Sequence, residues 1–376
     1  MGHIARGKGS FSGINQIAIP NKFRDYDSYS IFLRSLFQSK NSVISLFGMR
    51  AIDDGVISKI FSGGSGALIA QVQVVDKIVV RKFAIDAAAT KLKSQAIWIK
   101  QQAHRLPIVS ILNEHAAGTW FYYDMPYSPD SRDFYEIIHS NQFDKAKGIL
   151  DDIVSMVDAF HEETRIDNAQ DRVVENYIAM KVKSNINIII EKVEPFIDFP
   201  SFKINGHSFD IKSFDFLNDE VDLLGVLQDR RVCTIHGDLT IENVIVNGMT
   251  PNGWFLIDPN ENNIFNSPLI DWAKLFQSLH LGYELLNRGI NCHVHNNDIR
   301  FFSPRTQAYK ELYTHLCSTL EHKFGAGILK EIYLHEIIHY LRLTPYKFQY
   351  GPESGLLFFA NTCLLIDEYR NRYDIS

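Results

Sequence analysis

The chain of 376 residues has few cysteines and no long apolar run. Its four cysteines, Cys233, Cys292, Cys317 and Cys363, are scattered without the C-x-x-C spacing of zinc or redox sites. Free thiols are typical of a reducing compartment, so we expect a cytoplasmic protein. No segment approaches the roughly 18 to 20 consecutive apolar residues that a membrane-crossing helix requires, so no membrane span is predicted.

Basic residues are not in excess either, since 38 Lys and Arg face 44 Asp and Glu for a net charge of -6. A nucleic-acid binder needs a basic face to displace counterions from phosphates, so no nucleic-acid partner is expected. The 45% apolar and 22% charged fractions are those of a folded globular protein. A single core rarely exceeds roughly 250 to 300 residues, so two lobes are predicted. No feature of the sequence predicts an oligomeric state.

The residue pattern changes along the chain. Strand-like runs between Val56 and Ile85 are followed by an amphipathic helix over residues 86–104, with Gln95 in its middle. Pro126 ends a further strand. Three regions are therefore predicted, an N-terminal extension with one helix, a nucleotide-binding N-lobe and a C-lobe, at residues 1–50, 51–124 and 125–376. The predicted class is α+β, with a small antiparallel-sheet N-lobe and a larger, mainly helical C-lobe.

One polar motif interrupts the helical pattern of the C-lobe. His236-Gly237-Asp238 is followed, after four residues, by Asn243, and a predicted strand pair then ends at Asp258. Phosphoryl transfer needs a carboxylate to orient the attacking hydroxyl and hard oxygen ligands for Mg²⁺. We therefore predict Asp238 as the catalytic base and Asn243 and Asp258 as the magnesium ligands.

A structural interpretation of the same motif is the alternative. In it His236 and Asp238 form a buried pair and Asn243 caps a helix. The run Val244 to Val246 has the pattern of a strand, which leaves no helix for Asn243 to cap. The catalytic interpretation is therefore favoured.

The motif H-G-D-x-x-x-x-N, followed by Leu-Ile-Asp at Asp258, resembles the aminoglycoside phosphotransferase and choline kinase family, whose fold is related to that of protein kinases. The run "DWAKLFQSL" from Asp271 is similar to a helix in kinase-like proteins of bacterial surface-polysaccharide pathways. The resemblance covers roughly residues 56–370 and is sharp over 232–280.

This resemblance implies a two-lobed protein-kinase-like fold. It also implies transfer of the γ-phosphate of ATP, with GTP as an alternative, to a hydroxyl of a small-molecule acceptor. The acceptor would be a sugar, a polyol or an amino alcohol, for a surface glycan. His236 would support the catalytic loop, and Asp271 would be a buried partner of the loop backbone.

The nucleotide side is marked less clearly. Gly63, Gly64 and Gly66 lie between two strand patterns, where a glycine-rich turn can bring backbone N–H groups to phosphates. An ordinary hairpin turn is the alternative. Asp124 and Met125 lie at the predicted hinge and are also assigned to nucleotide binding.

Lys82 stands where V-A-I-K-type strands place the lysine that contacts nucleotide phosphates. Neighbouring Arg81 would face the opposite side of the strand. Kinases pair this lysine with a glutamate on the following helix, yet residues 83–113 contain none. Gln95 is the best-placed substitute, and its amide can accept a hydrogen bond without neutralising the charge. A nucleotide-binding pseudokinase without turnover is therefore an alternative function.

A second motif suggests a different enzyme class. His335-Glu336-Ile337-Ile338-His339 has the H-E-x-x-H pattern, which on a helix can hold zinc with the glutamate as base. A third ligand is not evident in the sequence. A zinc metallohydrolase is thus a minor alternative, and the ordinary interpretation is a C-lobe helix with Leu334, Ile338 and Leu341 in the core.

Overall fold

The computed structural model describes residues 56–61, 66–74, 77–140, 142–303 and 305–375. The helix predicted within residues 1–50 and two of the predicted nucleotide-site glycines, Gly63 and Gly64, lie outside them. The chain divides into two compact units. One contains the described residues up to Ser131 together with Asn247–Ile257, and the other contains Arg132–Val246 and Asp258 onwards. The predicted boundaries at residues 50 and 124 stay predictions.

The strands of the described residues vary in length, with the longest in the first unit. In chain order they are β1 (Val56–Phe61), β2 (Leu68–Val74), β3 (Lys77–Ile85), β4 (Asn113–Ala117), β5 (Trp120–Pro126), β6 (Arg132–Asp133), β7 (Asp167–Asn168), β8 (Ser201–Ile204), β9 (His207–Asp210), β10 (Arg231–Val232), β11 (Val244–Val246), β12 (Trp254–Leu256), β13 (Cys292–His295) and β14 (Asp298–Phe301).

Most helices lie in the second unit, as the apolar spacing of the C-lobe predicts. They are α1 (Asp86–Gln102), α2 (Phe134–Ile138), α3 (Phe143–Glu163), α4 (Asp171–Ile178), α5 (Ser184–Val193), α6 (Glu220–Val226), α7 (Pro268–Leu279), α8 (Tyr283–Asn287), α9 (Gln307–Phe324), α10 (Ile328–Lys347) and α11 (Pro352–Tyr373). A π-helical turn, Ala179–Lys183, joins α4 to α5. The 3₁₀-helical segments are Ile211–Asn218, Ile241–Asn243 and Phe348–Tyr350.

The first unit is built on a five-stranded antiparallel sheet with the order β1-β2-β3-β5-β4. Helix α1 packs on β3 and β5. Helical spacing predicts a core face of Ala88, Leu92, Ala96, Ile99 and Ala103, and three of these, Leu92, Ala96 and Ile99, are buried. Ala103 lies beyond the helix end and is exposed, whereas the polar Gln95 is buried on the same face. A polar residue occupies this core position because its amide has hydrogen-bond partners there, described below.

The core of the second unit is formed by α10, which packs against both α7 and α11. Every residue of α7 is buried. This helix begins after Ser267, whose side chain accepts a hydrogen bond from the Leu269 N–H, and Pro268 occupies its first turn. A helix that is buried on all sides can place polar side chains only where they have partners.

A four-stranded sheet in the second unit was not predicted. Its order is β13-β14-β8-β9, and β14 runs parallel to β8. Each strand has four residues, too few for a clear alternation, and β8 and β14 are far apart in the sequence. In the described parts of the chain no helix is long and apolar enough to cross a bilayer. The four cysteines are free thiols.

Candidate active site

The loop that carries the H-G-D motif is held by a buried carboxylate on α7. Asp271 accepts hydrogen bonds from the backbone N–H groups of His236, at 2.9 Å, and Gly237, at 2.7 Å. The ring nitrogen Nε2 of His161 lies 2.9 Å from the same carboxylate. Asp271 is 0% exposed, so this carboxylate is fully engaged in fixing the loop. The structure thus places Asp271 against the loop backbone, where the resemblance had it.

Gly237 is required by the geometry of this loop. Its φ is +74°, and a Cβ atom there would lie 2.4 Å from the carbonyl oxygen of Asn260 and 2.6 Å from Nδ2 of Asn263. The backbone N–H of Asn260 donates to the carbonyl oxygen of His236 at 2.7 Å. The segment that follows Asp258 therefore packs directly on the H-G-D loop.

Asn243 is the second predicted site residue that lies against the loop. Its Nδ2 donates to the backbone oxygen of Asp238 at 2.8 Å and approaches its Oδ2 atom at 3.3 Å. Asn243 caps no helix, because the strand β11 begins at Val244. Since the amide nitrogen is directed into the loop, the amide oxygen is the atom that can act as a metal ligand.

Asp258, the other predicted metal ligand, lies two residues before Asn260, whose N–H bonds to His236. Its φ of +56° is in the left-handed region, which aspartate adopts more readily than most residues. Together with the amide oxygen of Asn243, the Asp258 carboxylate would give a ligand pair made only of oxygen atoms, which Mg²⁺ prefers.

Lys274 is a site residue that the sequence interpretation missed. Its Nζ lies 3.0 Å from Oδ1 of Asp238 and 3.1 Å from Oε1 of Gln277. Burial raises the pKa of Asp238, but the Lys274 ammonium outweighs this and holds the pKa below its usual range. Asp238 is therefore ionised at neutral pH.

The spacing of polar residues along α7 could have identified Lys274 from the sequence. Asp271, Lys274 and Ser278 are spaced i, i+3 and i+7, which places them on one face of α7. Ser278 Oγ accepts a hydrogen bond from the N–H of Ile241 at 3.1 Å. All three side chains contact the segment from His236 to Ile241, so this face of the helix supports the whole H-G-D loop.

The predicted lysine of the nucleotide site lies in the first unit. Lys82 Nζ donates to Oε1 of Gln95 at 3.0 Å, and the Tyr123 hydroxyl donates to the same oxygen at 3.0 Å. The helix thus supplies this lysine with a neutral amide oxygen as its hydrogen-bond acceptor, where kinases have a glutamate.

Arg81 has different surroundings. It lies opposite Asp124 across β3 and β5, and its Nε and Nη2 atoms donate to the carboxylate at 2.7 and 3.0 Å. Its guanidinium also stacks 3.9 Å from the centroid of the Tyr122 ring. Both members of the ion pair are buried. Arg81 thus forms a buried ion pair with Asp124, whereas neighbouring Lys82 donates to Gln95.

The other residues predicted to bind nucleotide, Asp124, Met125 and Gly66, also lie in the first unit. The carboxylate of Asp124 is engaged by Arg81, and its carbonyl accepts a hydrogen bond from the Leu112 N–H at 2.8 Å. Met125 is buried at 6% exposure. A Cβ on Gly66 would lie 3.4 Å from the Cβ of Ala88, so this turn closely approaches the start of α1. The predicted nucleotide contacts of these residues stay predictions.

The H-E-x-x-H motif lies in the core helix α10. Nδ1 of His335 lies 3.0 Å from the Tyr177 hydroxyl, and Oε2 of Glu336 lies 3.0 Å from Nδ1 of His280. The motif residues, including His339, are buried. Among the residues that the structure describes, no group of three His, Cys, Asp or Glu side chains could hold a metal ion. Each motif side chain thus belongs to the packing of the helix, together with the buried Leu334, Ile338 and Leu341.

Comparison with known proteins identifies the fold. No protein-family model matches the chain, and no curated protein is significantly similar to it. A solved structure of a Plasmodium vivax ethanolamine kinase is 12% identical, with a TM-score of 0.51 over 93% of this chain and 98% of that one. A protein named as a fructosamine-3-kinase from Haemophilus somnus 129PT is 13% identical, with a TM-score of 0.50 over 84% of this chain and 92% of that one.

These similarities confirm the predicted class: the chain has an α+β, two-lobed protein-kinase-like fold. The resemblance to the aminoglycoside phosphotransferase and choline kinase family is confirmed at the level of the fold. The function is argued from the site itself.

Proposed function

We propose that this protein is an ATP- and Mg²⁺-dependent phosphotransferase that acts on a hydroxyl group of a small molecule. The observation that carries the proposal is the contact between Asp238 and Asn243 in a loop whose backbone is bound by the buried Asp271. An ionised carboxylate held in a fixed position is the group that phosphoryl transfer requires to orient a hydroxyl. GTP is the alternative nucleotide.

In the proposed reaction Asp238 accepts a hydrogen bond, and then the proton, from the acceptor hydroxyl. The hydroxyl oxygen forms a bond to the γ-phosphorus as the bond from that phosphorus to the bridging oxygen of ADP breaks. Asn243 and Asp258 would hold Mg²⁺, which when bound neutralises phosphate charge. Lys82, whose ammonium is held by the amide oxygen of Gln95, would bind nucleotide phosphates.

The acceptor belongs, in this proposal, to the sugars, polyols or amino alcohols, and a surface glycan is its proposed destination. Support comes from the two solved structures with this fold, whose names give small-molecule kinases. The neutral Gln95 favours one competing function, a pseudokinase that binds nucleotide without turnover. Turnover distinguishes the two.

The test is acceptor-dependent release of ADP from Mg-ATP, measured with a panel of sugars, polyols and amino alcohols for the parent protein and for Asp238→Asn. Asparagine retains an oxygen that can accept the Lys274 hydrogen bond, so the variant should fold and bind Mg-ATP. Loss of a general base typically lowers the rate by about 100- to 10,000-fold. Asp215→Asn, at an exposed position, is the control.

Two other results would contradict the proposal. A parent protein that binds Mg-ATP and transfers phosphate to no acceptor would support the pseudokinase. An Asp238→Asn variant that turns over at the parent rate would show that this carboxylate is not the base.

A further inference from the structure

The ammonium group of Lys347, at the end of α10, is surrounded by aromatic rings. Its Nζ lies 5.0 Å from one ring centroid and 5.6 to 5.7 Å from three others. We call these rings the aromatic box: Tyr283, Tyr346, Tyr350 and Phe358. The same Nζ donates a hydrogen bond to Oδ1 of Asn287 at 2.6 Å.

These distances are those of cation–π contacts, since a cation within about 6 Å of a ring centroid is attracted by the ring face. Four rings around one ammonium form the type of cage that also binds quaternary ammonium ligands. Burial lowers the pKa of Lys347 to about 8, with the nearby Glu242 opposing the shift. Lys347 is therefore mostly protonated at neutral pH and occupies the box as a cation.

The aromatic box lies near the catalytic loop, since Glu242 of that loop interacts electrostatically with both Lys347 and Asp238. Hydrogen bonds also join the loop to the residue next to Tyr283. The N–H of Ile241 donates to Oγ of Ser278 at 3.1 Å, and Ser278 donates to Oε1 of Glu284 at 2.7 Å. Glu284 is the neighbour of Tyr283 on α8. Tyr350 is 60% exposed, so a ligand in solvent can reach this part of the box.

We propose that Lys347 is a specificity-determining residue, which fills the aromatic box from within the chain and so restricts the acceptor to neutral or anionic polyols. This inference rests on the proposed phosphotransferase function. An amino alcohol or a quaternary ammonium compound would meet a like charge in the box, and like charges at close range oppose binding. A polyol or an acidic polyol meets no such repulsion and can hydrogen-bond the ammonium.

The first experiment measures binding alone and requires no turnover. Choline and its neutral isostere 3,3-dimethyl-1-butanol are titrated calorimetrically into the full-length parent protein, Lys347→Ala and Lys347→Arg. We expect Lys347→Ala to bind choline about tenfold more tightly than the parent does, a change that one desolvated cation–π site can supply. The isostere should show no gain, and Lys347→Arg, which keeps the charge, should resemble the parent.

Adding Tyr283→Leu to the Lys347→Ala protein tests where the choline binds. The gain should disappear, because one wall of the box is removed. A gain that persists in this double variant would place the ligand elsewhere and overturn the proposal. Equal choline affinity for the parent and Lys347→Ala would overturn it as well.

The acceptor panel provides the second measurement. The parent protein should transfer phosphate to neutral or acidic polyols and not to choline or ethanolamine. Efficient phosphorylation of either cation by the parent would refute the role of Lys347. If the parent phosphorylates nothing, the proposed function fails, and the choline titrations still decide whether Lys347 fills a cation site.

Discussion

Lys274 Nζ and Asp238 Oδ1 lie 3.0 Å apart, and the lysine is the buried partner, with a side-chain exposure of 3% against 40% for the aspartate. Burial lowers the pKa of Lys274, and the Asp238 carboxylate opposes that shift. The carboxylate of Asp238 thus favours the charged form of the buried lysine. The lysine in turn fixes the orientation of a carboxylate that is only partly buried.

Replacement of Lys274 by methionine should lower transfer more than it lowers stability. The partner Asp238 is partly solvated, but the buried Gln277 Oε1 loses its donor, so the free energy of unfolding should fall by about 1 to 3 kcal/mol at most. Transfer should fall by roughly 10- to 100-fold, the equivalent of one charge-assisted hydrogen bond. Chemical denaturation and acceptor-dependent ADP release measure the two effects. Lys323→Met, which removes the ion pair with Asp158, is the matched control, and equal rates for the two variants would contradict the assignment.

Replacement of Asp258 by alanine should remove the response of nucleotide binding to Mg²⁺. The carboxylate is the only anionic member of the proposed metal ligand pair, and the bound ion offsets the charge of the triphosphate. We expect ATP affinity in Mg²⁺ to fall by about tenfold or more, toward the value in EDTA. The measurement is titration of ATP with and without Mg²⁺. The exposed Asn262→Ala in the same segment is the control, and an unchanged Mg²⁺ response in Asp258→Ala would refute the metal assignment.

Arg81 and Lys82 are adjacent, yet their removal should have different consequences. Arg81→Ala leaves the buried Asp124 without its ion-pair partner and should cost about 3 to 5 kcal/mol of stability. Lys82→Ala should lower nucleotide affinity with a smaller loss of stability, because the Gln95 amide oxygen keeps the Tyr123 hydroxyl as a donor. Denaturant unfolding and ATP binding, measured on both variants where each is folded, test this. An equal loss of ATP affinity would show that the strand faces are wrongly assigned.

Gly237→Ala tests the contact between the H-G-D loop and the segment that follows Asp258. A backbone at this φ costs alanine about 1 to 2 kcal/mol, and the added Cβ also meets Asn260 at 2.4 Å. Gly253→Ala is a matched control, since Gly253 has a φ of +73° and no atom within 4 Å of an added Cβ. Thermal unfolding should show the larger loss for Gly237→Ala, together with loss of transfer. Equal losses of stability in the two variants would mean that the contact between Gly237 and Asn260 does not contribute to stability.

The parts of the candidate site that lie close together in the sequence could be proposed from it. The spacing of Asp238 and Asn243 indicates that they meet, as the structure shows, and the metal role of Asp258 stays a prediction. Gln95 could be proposed because the missing glutamate left few polar residues on the buried face of α1.

Other features depend on contacts between distant segments. The aromatic box combines Tyr283 of α8 with rings at the end of α10 and from α11, and no local pattern shows that these segments meet. The four-stranded sheet was missed for the same reason, since β8 and β14 pair across a long stretch of intervening chain. Lys274 was overlooked because a lysine on an apolar helix is usually at its surface, whereas α7 has no exposed residue.

The complete burial of α7 also determines the dynamics of the loop that it supports. The amide protons of His236, Gly237 and Ile241 are bound by side chains of this helix. They can exchange with solvent deuterium only when those side chains withdraw, and withdrawal disrupts the core of the second unit. Amides in loops usually exchange through small local openings. For these three amides, the opening free energy measured by hydrogen exchange should equal the free energy of global unfolding. The H-G-D loop would then open only as often as the core helices do, and slow exchange at these three positions would show it.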